Sequence, residues 1–136
     1  MAIFLRLRRR EGGSMGEQIM DREAAGRFVE AWCANWCNVD IDAVVAHFAE
    51  DAEMRSPLAL KLTDAPVVAG VENIRAYWRK AYGSIGSADL KILNWSWDET
   101  IARLTVWWQL GDTRASEFMD FDAAGRVVRS EAFYGK

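Results

Sequence analysis

A chain of 136 residues, 51% of them apolar and seven of them tryptophan, has material for one domain with a sizeable core. Its formal charge of −3 excludes the basic face expected of a nucleic-acid binder, the only basic cluster being Arg6, Arg8, Arg9 and Arg10. Its N-terminal apolar run, Ala2 to Leu5, falls far below the ~20 residues needed to cross a bilayer, so no membrane partner is expected.

Residues 1–17 read as a flexible leader, with Gly12-Gly13-Ser14 as linker and a second methionine at Met15, and the domain is expected over 18–136. The run Ala2 to Leu5 is too short for a signal-peptide core and lies on the wrong side of the arginines, which makes a cytoplasmic protein the expectation. Asp21 then suits the N-cap of a first helix, in which Ala25, Phe28, Val29, Trp32 and Trp36 recur at helical spacing. Cys33 and Cys37 fall four apart on that helix, on one face and poorly arranged for a disulfide. With His47 the only histidine, ligands are too few for a zinc site, which takes about four. No metal and no cofactor is expected, and the thiols read as small buried hydrophobes.

Asp40 caps a second, short helix with Ile41, Val44, Val45 and Phe48 on one face. The segment "AEMRSP" (52–57) reads as a short strand stopped by Pro57, because proline cannot donate to a strand ladder. Leu58 to Gly70 reads as a loop, and "VENIRAYWRKAYG" as a third helix with Val71, Ile74, Trp78 and Ala81 on one side.

From Ala88 onward the apolar period changes to two. "ADLKILNWSW" and "TIARLTVWWQL" are the first two long strands. The second alternates Ala102, Leu104, Val106, Trp108 and Leu110 with Ile101, Arg103, Thr105, Trp107 and Gln109. Gly111-Asp112 turns into "ASEFMDFD", where Ala115, Glu117, Met119 and Phe121 share a face. "DAAG" turns into "RVVRSEAFY", where Val128, Ser130, Ala132 and Tyr134 share one. Helices followed by an antiparallel meander make an α+β fold. The face with Leu104, Val106 and Trp108 is expected to meet the helices. The opposite face mixes Ile101 and Trp107 with Arg103, Thr105 and Gln109, and so predicts a homodimer through the outer sheet surface.

Three stretches resemble the nuclear transport factor 2-like superfamily, in particular its SnoaL-like branch of polyketide cyclases and ketosteroid isomerase relatives. They are "NVDIDAVVAHFAEDAEMRSP" (38–57), "GVENIRAYW" (70–78) and "EFMDFDAAGRVVRSEAFYG" (117–135). The resemblance implies three N-terminal helices packed in a strongly curved, mostly antiparallel sheet, a cone-shaped α+β barrel with a pocket at its open end. It also implies three catalytic positions. The isomerases' aspartate base falls on Ser56 and their oxyanion-hole tyrosine on Trp32. Serine cannot act as that base and an indole offers a single N–H, so ketosteroid isomerisation is not expected. The acid of the isomerases and cyclases falls on Glu117, where a carboxylate is kept. Dehydratases of the scytalone type use two histidines, and epoxide-hydrolase relatives use an aspartate–arginine–aspartate set. Here Arg103 and Asp120 are expected to face outward.

Glu117 is therefore the candidate catalytic group. In an apolar pocket its pKa would rise, making it a neutral donor or an acid/base near pH 7; paired with a buried arginine or a tryptophan N–H, it would only fix the interior. Among Trp32, Trp78, Trp95, Trp97 and Trp108, the expected cavity residues are Trp32 and Trp108. Ser56, Met119, Ser130 and Tyr134 complete the expected ligand-binding set, and His47 is expected on a helix flank. Two functions stay open: a cofactor-free isomerase, cyclase or hydratase acting on a hydrophobic small molecule, or a ligand-binding or assembly module without chemistry.

Overall fold

The computed structural model describes residues 20–135, so the leader expected over 1–17 lies outside the described residues. Helix α1 (Arg22–Cys37) starts where Asp21 accepts a hydrogen bond from the Ala24 amide at 2.8 Å, and its apolar stripe buries Ala25, Phe28, Val29 and Trp32. Helix α2 (Ile41–Val45) is capped in the same way by Asp40 and buries Ile41, Val44 and Val45. Phe48, expected on that helix, instead begins strand β1 (Phe48–Arg55). Its ring is buried either way, so helical spacing alone could not locate the change of backbone.

Pro57 ends the strand as expected and also begins a helix, where its missing N–H costs nothing. Ser56 is the N-cap: its hydroxyl accepts from the Ala59 amide at 3.0 Å and α3 runs Pro57–Thr63. The segment expected as loop therefore holds α3 and strand β2 (Val67–Ala69), which pairs antiparallel with β1. The fold has four helices among the described residues rather than three. The fourth, α4 (Val71–Tyr82), buries Ile74, Tyr77 and Trp78 and is tied to α2 by Arg75 and Arg79, both bonded to Asp42.

The long strands are β3 (Leu90–Asp98), β4 (Arg103–Leu110), β5 (Thr113–Phe121) and β6 (Val127–Tyr134). They join β1 and β2 in one curled six-stranded sheet ordered β2-β1-β6-β5-β4-β3. Only the β1–β6 pairing is parallel. Leu104 and Val106 are fully buried against the helices, as their alternation predicts. Strand β4 begins later than expected: Ile101 and Ala102 lie in the turn after β3, Ala102 with a left-handed φ of 52°. Ile101 is thus a turn residue and not part of the outer sheet face.

Two irregularities change which residues point inward. The register shifts between Ile92 and Asn94 in β3, so Leu90 and Ile92 share the inner side with Trp95 and Trp97 while Leu93 is exposed. In β6, Asp120 pairs with Arg129 but Phe121 pairs with Val127, leaving Val128 as the extra residue. Val127 is fully buried as a result, and Val128 does not share the face of Ser130 as simple alternation predicts.

Candidate functional site

The inner sheet face does not close completely against the helices. Between α1, α4 and the inner faces of β4, β5 and β6 lies a cavity of about 130 Å³. Its wall is aromatic: Trp32 and Trp36 come from α1, Trp78 from α4 and Trp108 from β4. All three tyrosines of the chain, Tyr77, Tyr82 and Tyr134, also line it.

Among the described residues, Glu117 alone brings a carboxyl group to this wall. Strand pairing sets it between Val106 of β4 and Ala132 of β6, on the inner face. The hydroxyl of Ser130, itself 3% exposed, donates to Glu117 Oε2 at 3.2 Å. Burial of the carboxyl among apolar groups disfavours its charge and pushes its pKa from the ordinary 4.5 up to about 7, against the opposing help of the Ser130 hydroxyl and the nearby Trp108 indole. The Trp108 N–H is buried beside that carboxyl and has no other hydrogen-bond partner. No arginine forms an ion pair with Glu117 among the described residues.

Arg55, the last residue of β1, also lines the cavity, and four other polar residues fall into two pairs. Tyr77 lies beside Ser56, and Tyr82 beside Tyr134. Burial raises the pKa of all three phenols, and for Tyr82 and Tyr134 the proximity of Glu117 adds to the rise. Each phenol therefore keeps its proton at neutral pH and is available as a donor. Tyr134, 39% exposed, stands toward the solvent end, with its ring 6.3 Å from that of Trp108.

Of the expected residues, Trp32, Ser56, Trp108, Glu117, Ser130 and Tyr134 converge on the cavity. Met119 does not reach it. Met119 is fully buried opposite Leu104, in the core beyond the cavity floor. Ser56 is on the wall, but its hydroxyl is engaged in capping α3. Tyr77, Tyr82, Trp36 and Trp78 were missed as cavity residues. A signal for two of them exists: Tyr77 completes the i, i+3 spacing from Ile74, and Tyr82 the i, i+4 spacing from Trp78.

His47, Arg103 and Asp120 lie away from the cavity wall. His47 packs edge-on against Phe28 at 5.2 Å, and burial lowers its pKa. Arg103 and Asp120 form a bidentate pair at 2.7 and 2.9 Å on the outer sheet face, with Arg103 also 4.1 Å from the centre of the Phe118 ring. These two residues are bonded to each other and away from the cavity, so they supply no epoxide-opening set there.

The SnoaL-like domain model matches residues 29–132, a span that contains every cavity residue named above except Tyr134. A comparison with curated protein sequences finds no match. Among solved structures, a SnoaL-like protein of unknown function from Burkholderia thailandensis E264 is 24% identical, with a TM-score of 0.79 over 88% of this chain and 100% of that one. An NTF-2-like protein of unknown function from Burkholderia xenovorans LB400 is 15% identical, with a TM-score of 0.69 over 86% and 87% of the two chains. SalBIII, an epoxide hydrolase/cyclase-like enzyme with a role in pyran ring formation in the polyether salinomycin, is 16% identical, with a TM-score of 0.68 over 85% and 94%. At these identities the likeness is one of fold.

Proposed function

This chain belongs to the SnoaL-like domain family, and from that premise we propose that it binds a hydrophobic, carbonyl-bearing small molecule and moves a proton on it without a cofactor. The observation that carries the reading is Glu117: a partly buried carboxyl with its pKa raised to about 7, on the wall of an aromatic cavity. A group poised near neutrality can both take a proton and return it. One such group suffices for a reaction that withdraws a proton beside a carbonyl and replaces it at another position. Tyr134 and Tyr82 then serve as hydrogen-bond donors to the carbonyl oxygen as it gains negative charge. The fold-level likeness to a cyclase-like enzyme agrees with this class and does not choose among isomerase, cyclase and hydratase outcomes.

Exchange of α-protons of 2-cyclohexenone and larger cyclic ketones in D₂O, followed by NMR, tests the reading, with tryptophan fluorescence reporting binding. Glu117→Gln is expected to keep ketone binding within a few-fold and to lose exchange by roughly 10²–10⁴-fold. Exchange as fast in the variant as in the wild type would sink the catalytic reading and leave a binding module.

The outer sheet face supports a dimer of this chain as the working unit. Trp107 and Phe133 are 40% and 51% exposed there, on strands that flank β5, and the Phe133 ring lies tilted beside that of Phe118, 6.1 Å away. Sedimentation velocity is expected to show a wild-type dimer and a monomeric Trp107→Glu/Phe133→Glu variant; a wild-type monomer at tens of micromolar would remove this part.

A further inference from the structure

A second group of reactive side chains lies behind the cavity wall and takes no part in the acid/base reading. Cys33 and Cys37 are half-buried on the same face of α1, and both thiols point at one acceptor, the Leu90 carbonyl oxygen, each at 3.5 Å. Two sulfurs so placed can be no more than about 7 Å apart, and Cys37 is close enough to perturb Cys33. The spacing suits a bridging atom better than a direct bond. Helical i, i+4 positions hold their Cβ atoms about 5–6 Å apart, whereas a disulfide needs about 3.5–4.5 Å. A linear sulfur–metal–sulfur unit, at about 2.3 Å per bond as in zinc thiolates, spans about 4.6 Å between sulfurs. Among the described residues no group of three or more His, Cys, Asp or Glu side chains converges, so a tetrahedral ion would lack protein ligands here and a two-coordinate one would not.

We propose that Cys33 and Cys37 form a bidentate thiolate clip for a soft Lewis acid that takes two sulfurs from the protein: a monovalent copper ion or a trivalent organoarsenical. With an arsine oxide the exchange is balanced without any redox change. Two S–H bonds and the arsenic–oxygen bond are replaced by two arsenic–sulfur bonds, and the oxygen leaves as water with the two thiol protons. With monovalent copper, the thiol protons pass to solvent as the sulfurs bind. Burial raises the Cys33 pKa, which slows attack on one-point alkylating reagents; a reagent that gains two bonds at once offsets that cost. The clip also abuts the cavity. Leu90 lines it, and Ala88, another wall residue, donates its amide to the Cys37 carbonyl at 2.9 Å. Turning both thiols away from Leu90 therefore disturbs the β3 end of the wall.

The test uses the folded full-length chain, reduced and anaerobic. Native mass spectrometry with phenylarsine oxide is expected to show one adduct that survives excess glutathione and is removed by the dithiol dimercaprol. Cys33→Ala and Cys37→Ala are each expected to lose retention by roughly tenfold or more; circular dichroism checks their fold, with the serine variants as second choices. A parallel titration with monovalent copper against bicinchoninate separates the sources: copper capture alone assigns the clip to the metal ion, and arsenical retention alone to the organic reagent. If wild type holds neither probe, or the single-cysteine variants hold them as tightly, the clip does not exist. Since the Glu117 exchange assay is run without thiol reagents, failure of either proposal leaves the other readable.

Discussion

Glu117→Gln is expected to be more stable than the wild type at pH 8 and to lose that advantage as the pH falls to 4. Below about 4.5 the glutamate is protonated in both the folded and the unfolded chain, and its burial carries no charge penalty. Between about 4.5 and about 7 the unfolded chain ionises while the folded one keeps its proton, so stability falls as the pH rises. Above about 7 the folded carboxyl is ionised as well, and the whole cost of holding that charge in a partly buried site is present. At 1.36 kcal/mol per pH unit of displacement this amounts to about 3 kcal/mol. Glutamine keeps the shape and does not titrate, and the other carboxylates cancel in the comparison. Urea denaturation of both proteins at intervals from pH 4 to pH 8 gives the difference directly. A flat difference would mean that water or a cation reaches the carboxyl in solution, and would remove the basis for proton transfer near pH 7. Ser130→Ala supplies the complementary shift. Its hydroxyl donates to Glu117 and favours the charged form, so the variant's midpoint moves further up.

What made Glu117 legible in the sequence was contrast: a carboxylate on a strand face that otherwise reads Ala115, Met119 and Phe121. Its partner Ser130 followed from the same period-two reading on the next strand. The alternation of Leu104, Val106 and Trp108 gave the buried sheet face for the same reason, since a strand with one covered face must place its apolar residues two apart. Where the strands depart from regular pairing the rule failed. The extra residue Val128 turns Val127 inward, and the shift near Leu93 exposes a leucine that alternation alone does not mark. Such shifts come from the partner strand and from curvature, and neither is written locally.

The helix at Pro57–Thr63 shows a different failure. Ser56-Pro57 carries both signals at once, a strand stop and a helix start, and the strand pattern before it marks only the stop. The tyrosine pairs show the limit of periodicity for sites. Tyr77 and Tyr82 belong to α4 and Tyr134 to the last strand, so their meeting around Glu117 depends on how α4 crosses the sheet. A helical wheel marks Tyr77 and Tyr82 as inward but has no means of saying what they face.

Met119 separates the core from the site, and truncating it is expected to have the second large effect. As a cavity residue it would be partly exposed to that space, and Met119→Ala would change ligand fit at little cost in stability. In the fold it is fully buried, paired across the sheet with Leu104 on one side and Ser130 on the other. Both of those neighbours are held by strand pairing and cannot collapse into the space left behind. Met119→Ala is therefore expected to destabilise the protein by about 2–5 kcal/mol, and Met119→Leu, which conserves volume, by less than about 1.5 kcal/mol. Urea denaturation at a single pH measures both, and tryptophan fluorescence with the cyclic ketones shows whether Met119→Leu still binds as the wild type does. A Met119→Ala variant that keeps wild-type stability but binds ketones differently would move Met119 onto the cavity wall and lower the floor by two residues along β5. Glu117 would then sit midway up the wall, more open to water, and the pH profile of the Glu117→Gln comparison would flatten with it.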